Sequence, residues 1–226
     1  GNILNPLGQK AKKIDHIFLT HCHLDHIVDL PFLIDAFFEK RTAPLHIYAL
    51  PDTVTALKKH ILNWDIWPDF NEIELINTDS KSLLLHPVAF GENYTVEGIT
   101  LKPMQTNHTV PSCGYVVTKE DKKEVMITAD TYICDTIWDE LNSNTNIKTL
   151  VIECSFPSNL SSLAEASKHL TPLLLSFELK KLQRDDVDIY INHMKPDFVE
   201  TMKQEFVELG LSDSLTFLTD GDTITL

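Results

Sequence analysis

His21, His23, Asp25 and His26 all fall within the hexapeptide His21-Cys22-His23-Leu24-Asp25-His26. Three imidazoles and a carboxylate in six residues make a poor core and a good metal site. In an extended segment, side chains two residues apart point the same way. His21 and His23 can therefore pinch one ion. Asp25 and His26, on the turn that follows, point elsewhere and can begin a second site. Neutral imidazole and carboxylate suit zinc, manganese, iron or cobalt. The plain alternative is a chance cluster of polar loop residues, and a ligand density this high argues against it.

The elements around the hexapeptide give it a place. Residues 14–20 read as a buried strand. Ile27, Leu30, Ile34 and Phe37 then recur at helical spacing. Pro31 suits the first helical position, with Asp29 or Leu30 as the cap. The hexapeptide is thus a strand-to-helix loop at the carboxyl end of a strand, where α/β folds place their chemistry. Three more residues occupy comparable places. His108 follows the strand-like run 99–103, Asp130 ends a run that starts at Val125, and His193 follows the run 187–192. Taken singly each is weak. A lone histidine near a strand end is commonly a surface residue, and Asp130 could cap a helix over 132–141. Glu153 ends the strand-like run from Leu150, and His169 opens an apolar helix over 171–182. Their plain readings are a surface acid and a helix cap.

His-x-His-x-Asp-His after a hydrophobic strand resembles the signature of the metallo-β-lactamase superfamily. The segment from Thr20 to Ile27 resembles, more narrowly, the class II 3′,5′-cyclic-nucleotide phosphodiesterases, as do Leu30-Pro31-Phe32-Leu33 and His193-Met194-Lys195-Pro196. Asp29 departs from the Gly or Ser usual in that family, which touches the local turn and not a ligand. The resemblance implies two divalent metal ions, zinc first, with manganese or iron as alternatives. It implies that His21, His23 and His108 hold one ion, that Asp25, His26 and His193 hold the other, and that Asp130 bridges them. A hydroxide shared by the metals would open cyclic AMP or cyclic GMP to the 5′-monophosphate. His169 would be the proton donor, oriented and charged by Glu153. The fold it implies is α/β, a metallo-β-lactamase-like αββα sandwich. A homodimer is compatible with the resemblance.

Composition sets bounds. The 226 residues are ample for one hydrolase domain over 1–226, and apolar strands alternate with helical patterns. Helices are expected at 31–40, 52–64, 132–141, 171–182 and 197–209. A hairpin is expected between 115–117 and 125–128, turning at 120–123, with a loop at 64–71. No apolar run approaches the roughly 20 residues of a membrane span. Four cysteines without paired spacing suggest a reducing compartment, the cytoplasm, with the periplasm as the alternative. Cys22 and Cys154 adjoin site residues as bystanders open to oxidation. His16, His46, His60 and His86 show no partner at ligand spacing and read as structural or solvent-facing. Nineteen basic against 33 acidic residues leave a net charge of −14. Two divalent ions offset only part of it. That balance disfavours a large nucleic acid, which is held mainly by clustered Lys and Arg. It is compatible with a small anion anchored by metal.

Only 13 residues precede the first predicted strand, and 2–13 are too polar for the strands that open the superfamily fold. The expectation is that the numbered chain lacks an N-terminal portion of tens of residues. Three other functions fit parts of the pattern. A tRNA 3′-processing nuclease shares the ligands and the Glu/His pair but carries a basic, Gly-rich arm that is not seen here. A lactone or thioester hydrolase shares the ligands but not the Glu153/His169 pattern. A non-catalytic or redox metal protein would favour Glu at His23 or closed Cys ligation.

Overall fold

A computed structural model describes residues 7–76, 78–119 and 123–224. The chain forms two compact units, Gly1–Ala89 and Phe90–Leu226. The first carries a parallel three-stranded sheet in the order β1 (His16–Phe18), β2 (Leu45–Ala49), β3 (Leu83–Pro87). Its helices are α1 (Leu24–Ile27), α2 (Asp29–Phe37) and α3 (Pro51–His60). Strand β2 alternates as a sheet with one dry face must. Leu45, Ile47 and Ala49 are buried, while His46 and Tyr48 are half-buried on the other side. The dry side packs with Leu30, Leu33, Ile34 and Phe37 of α2 and Leu57 of α3.

Two expectations shift in this unit. The strand foreseen at 14–20 shortens to three half-buried residues. A 3-10 turn over Gly8–Lys13 precedes it and is capped by Ile14, whose amide donates to the Ala11 carbonyl. Pro31 is the third helical residue and not the first, because α2 begins at Asp29. Val28, itself in helical conformation, leads from α1 into α2, and neither Asp29 nor Leu30 is a cap. Proline is tolerated there because the first four helical amides have no intrahelical acceptor in any case. The loop expected over 64–71 is a loop.

The second unit is built on seven strands in the order β10-β9-β8-β7-β6-β5-β4. In chain order these are β4 (Tyr94–Val96), β5 (Ile99–Gln105), β6 (Cys113–Lys119), β7 (Glu124–Ile127), β8 (Ile147–Glu153), β9 (Asp188–Asn192) and β10 (Leu215–Phe217). Strands β4 to β7 run antiparallel and β7 to β10 parallel. The hairpin forms with Tyr115 opposite Ile127; residues 120–122 of its expected turn lie outside the described residues. Helices α4 (Asp135–Ser143), α5 (Ser161–Ser167), α6 (Pro172–Glu178) and α7 (Val199–Glu208) complete the unit. Its core joins Met126, Leu150, Ile152 and Ile191 of the sheet to Trp138, Leu175, Met202 and Phe206 of the helices. Burying each such side chain contributes about 1.5–3 kcal/mol.

Helix α4 starts three residues later than expected, after Cys134, so Asp130 is not its cap. Thr171, and not His169, caps α6, its hydroxyl accepting from the Leu174 amide. The short elements β4, β10 and α5 were not foreseen. Ile127 pairs with Val151, and Glu153 with Asn192. The segments that carry Asp130, Glu153 and His193 therefore leave the parallel strands at one edge. Gly114 of β6 makes room for this: a Cβ there would stand 2.5 Å from the Ile127 carbonyl oxygen and 2.9 Å from the Thr128 Cα. Among the described residues no helix is long and apolar enough to cross a membrane.

Candidate metal centre

In the first unit the hexapeptide leaves β1 and enters α1. His21 is fully buried. Its Nε2 lies 3.1 Å from Nδ1 of His23, so the two rings converge as extended spacing predicts. His23 is the extended N-cap of α1, and Asp25 and His26 sit within the helix. His26 does not point wholly elsewhere. Its ring centroid is 4.1 Å from that of His21, because one helical turn brings it back beside the strand end. His26 Nε2 is 3.7 Å from Asp25 Oδ2.

In the second unit His108, Asp130 and His193 come together. The His108 Nδ1–H donates to the Lys168 carbonyl, 3.1 Å away. A carbonyl can only accept, so Nδ1 carries the proton and Nε2 of the neutral ring carries a lone pair. That Nε2 is 3.7 Å from Asp130 Oδ2. His193 Nε2 is 3.4 Å from the other oxygen, Oδ1. Each carboxylate oxygen thus faces its own imidazole nitrogen across a gap longer than a good hydrogen bond. Cations suit that donor set. The carboxylate is almost wholly buried. Asp130, His169 and His193 each offer a ligand-type atom within 4.8 Å of the other two.

Glu153 and His169 form a buried pair, Nδ1 to Oε1 at 2.7 Å. Glu153 also accepts from the Thr131 and Leu170 amides and from the Ser155 hydroxyl. Burial pushes its carboxyl up, against the pull of the hydrogen bonds from His169 and Ser155. Burial alone would lower His169. The hydrogen bond and charge of Glu153 outweigh it, and the imidazole ends above its ordinary value. A surface acid and a helix cap are thereby excluded. Cys154, between these residues, is buried, and burial pushes its thiol up, so it is not a reactive bystander.

Five non-glycine residues among those described have positive φ, and three belong to this site: Ala129 at 53°, Lys168 at 58° and His193 at 61°. Such conformations cost on the order of 1–3 kcal/mol each and collect at functional positions. His108 also helps line a cavity of about 540 Å³ with Phe90, Asn107, Thr109, Val110 and Pro111.

Sequence reasoning missed Ser155, the Lys168 carbonyl and Gly114. Only the last left a trace, as a glycine inside a strand run, which often marks close backbone approach. Three of the histidines read as structural or solvent-facing do pack together: His46 Nδ1 lies 2.9 Å from His86 Nε2, and His16 stacks on His46 with centroids 4.9 Å apart.

The family described as "Anti-Pycsar protein Apyc1" matches residues 1–208. The chain is 25% identical over 215 residues to a probable 3′,5′-cyclic-nucleotide phosphodiesterase of Yersinia pestis, covering 83% of this chain and 59% of that one. It is 32% identical over 108 residues to a chloroplastic tRNase Z of Arabidopsis thaliana, covering 47% and 28%. The chain therefore spans less than two thirds of the length of these relatives. Among solved structures, yeast PDE1 superposes with a TM-score of 0.76 at 22% identity, covering 93% of this chain and 68% of the other. The metallo-β-lactamase fold protein YhfI of Bacillus subtilis superposes with a TM-score of 0.71 at 19% identity, covering 94% and 77%. The fold is that of the metallo-β-lactamases, as the hexapeptide implied.

Proposed function

The chain belongs to the Apyc1 family of anti-Pycsar proteins, and on that footing we propose that it is a two-metal hydrolase that opens 3′,5′-cyclic nucleotides to 5′-monophosphates. One observation carries the reading: Asp130 presents its two oxygens to two different imidazoles, beside a buried Glu–His pair. His21, His23, Asp25 and His26 of the first unit would supply ligands, as would His108, Asp130 and His193 of the second. The ions, zinc first and manganese or iron as alternatives, would supply Lewis acidity toward water and the phosphoryl oxygens. His108 and His193 offer Nε2 because their Nδ1 protons are engaged elsewhere. His169 delivers a proton to the departing 3′ oxygen, and Glu153 holds its ring and favours its charged form. Burial of the pair excludes water and strengthens that charge coupling.

The name of the Yersinia pestis relative supports the substrate class, and the cavity beside His108 is of small-molecule size. The net charge of −14 speaks against a long polyanion. The tRNase Z match keeps a nuclease reading alive. Four free cysteines fit a reducing cytoplasm. The test is metal analysis of the purified protein, then turnover of cyclic AMP and cyclic GMP with product identification. Two metals per chain and 5′-monophosphate products are expected. Cleavage of a tRNA precursor without cyclic-nucleotide turnover would move the protein to the nuclease branch.

A further inference from the structure

We infer that Ser155 is a positioning residue that fixes the Nδ1 protons of His169 and His193, and so couples the His193 metal site to the Glu153–His169 pair. Ser155 is fully buried. Its Oγ lies 2.8 Å from Glu153 Oε2, 2.9 Å from His193 Nδ1 and 3.2 Å from His169 Nδ1. A hydroxyl has one proton to give and two lone pairs to receive. The carboxylate takes the proton, so both imidazoles must donate to Oγ. His193 donates fully. His169 shares its Nδ1–H between Oγ and the nearer Glu153 Oε1. His193 is thereby held as the tautomer that leaves Nε2 available, and the His169 Nδ1–H is held between Glu153 and Ser155.

The backbone repeats the pattern. The Ser155 amide donates to the Leu170 carbonyl, next to His169, and its carbonyl accepts from the Lys195 amide, two residues past His193. One residue thus ties three segments by main chain and side chain together. His193 needs the hold. Its backbone sits at φ 61°, so the ring cannot rely on regular structure for its direction. A metal-bound imidazole is commonly fixed through its other nitrogen in this way, and losing that contact costs about 10–100-fold in metal affinity or activity.

The inference rests on the metal reading above, and the experiment separates the two. Zinc is titrated into metal-stripped wild type, Ser155→Ala and Ser155→Thr, and 15N spectra of the histidine rings report the tautomers. Wild type should bind two zinc ions. Ser155→Ala should hold one of them about 10–100-fold more weakly, and His193 should lose its fixed Nδ1–H tautomer. Ser155→Thr keeps the hydroxyl and should restore both. Wild type that binds no zinc would overturn the metal reading along with the inference. Wild type binding two ions, with Ser155→Ala unchanged in affinity and tautomer, would overturn the inference alone. Weakened zinc in both variants with unchanged ring signals would assign Ser155 a packing role and overturn it as well. If Ser155→Ala fails to fold, Ser155→Thr decides: a folded variant without the His193 signature contradicts the proposal.

Discussion

Two groups of histidines, one in each unit, meet opposite electrostatics. In the second unit His169 is buried and faces the carboxylate of Glu153 at 2.7 Å. In the first, half-buried His46 faces another imidazole, His86, at 2.9 Å. The planes of that second pair differ by 11° and the centroids are 5.1 Å apart. That is the separation expected of an N–H···N bond lying nearly in both ring planes. One ring donates and the other accepts, so the pair is at ease when neutral. Burial and neighbouring His16 lower both His46 and His86. His169 rises although burial works against it, because its partner is an anion. For His46 and His86 burial sets the direction and cationic neighbours add to it; for His169 the anionic partner reverses it.

The largest expected effect comes from removing the anion. Glu153→Ala leaves His169, Ser155 and two backbone amides without their shared acceptor in a dry site. Breaking one side of such a buried pair costs about 3–5 kcal/mol, so Tm should fall by about 6–20 °C at roughly 2–4 °C per kcal/mol. His46→Ala removes a half-exposed partner and should shift Tm far less. Thermal unfolding of the two variants side by side checks the contrast, and equal shifts would break it.

Next in size is the effect of His169 itself. With His169→Ala, turnover of a cyclic nucleotide should drop about 100- to 10,000-fold, the usual worth of a general acid, while metal content stays at the wild-type value. His86→Ala should leave turnover unchanged. A His169→Ala protein with near-wild-type rates would end the proton-donor assignment. One that loses its metal would make His169 a ligand, an outcome the closeness of Asp130, His169 and His193 makes worth measuring.

Much of this contrast was legible in the chain, and the missing part has a physical reason. The hexapeptide and the strand-end positions of His108, Asp130 and His193 show because residue type and strand periodicity are local signals. Glu153 and His169 were readable through their motif, though not their burial. The His46–His86 contact was not, since it joins residues 40 apart through parallel register: Tyr48, not His46, lies opposite His86. Ser155 was silent for another reason. Serine is common, and its role comes from His169 and His193, which two other segments bring to it beside neighbouring Glu153. The short strands β4 and β10 carry only three residues each, too few for an alternation to stand out.

The smallest expected effect is a pH dependence in the first unit. In the unfolded chain an imidazole titrates near its ordinary value of about 6.5. In the fold His46 and His86 titrate lower, so below that value the unfolded chain binds more protons than the native one. Stability contributed by the neutral pair is therefore complete above about pH 6.5 and is lost as pH falls through the lowered native values. Asp15, which raises His46, moderates the effect, and Arg41, which lowers it, adds to it. They are themselves bonded at 2.5 Å. Both imidazoles remain partly in solvent, which limits the loss to about 1 kcal/mol after screening, or about 2–4 °C in Tm. Other groups titrate in the same range, so the measurement is a difference: Tm at pH 7.5 minus Tm at pH 5.5, for wild type and for His46→Asn/His86→Asn. The double variant should lose less on acidification than wild type. An equal or greater loss would mean that the imidazole pair does not resist protonation, and the contrast with His169 would rest on His169 alone.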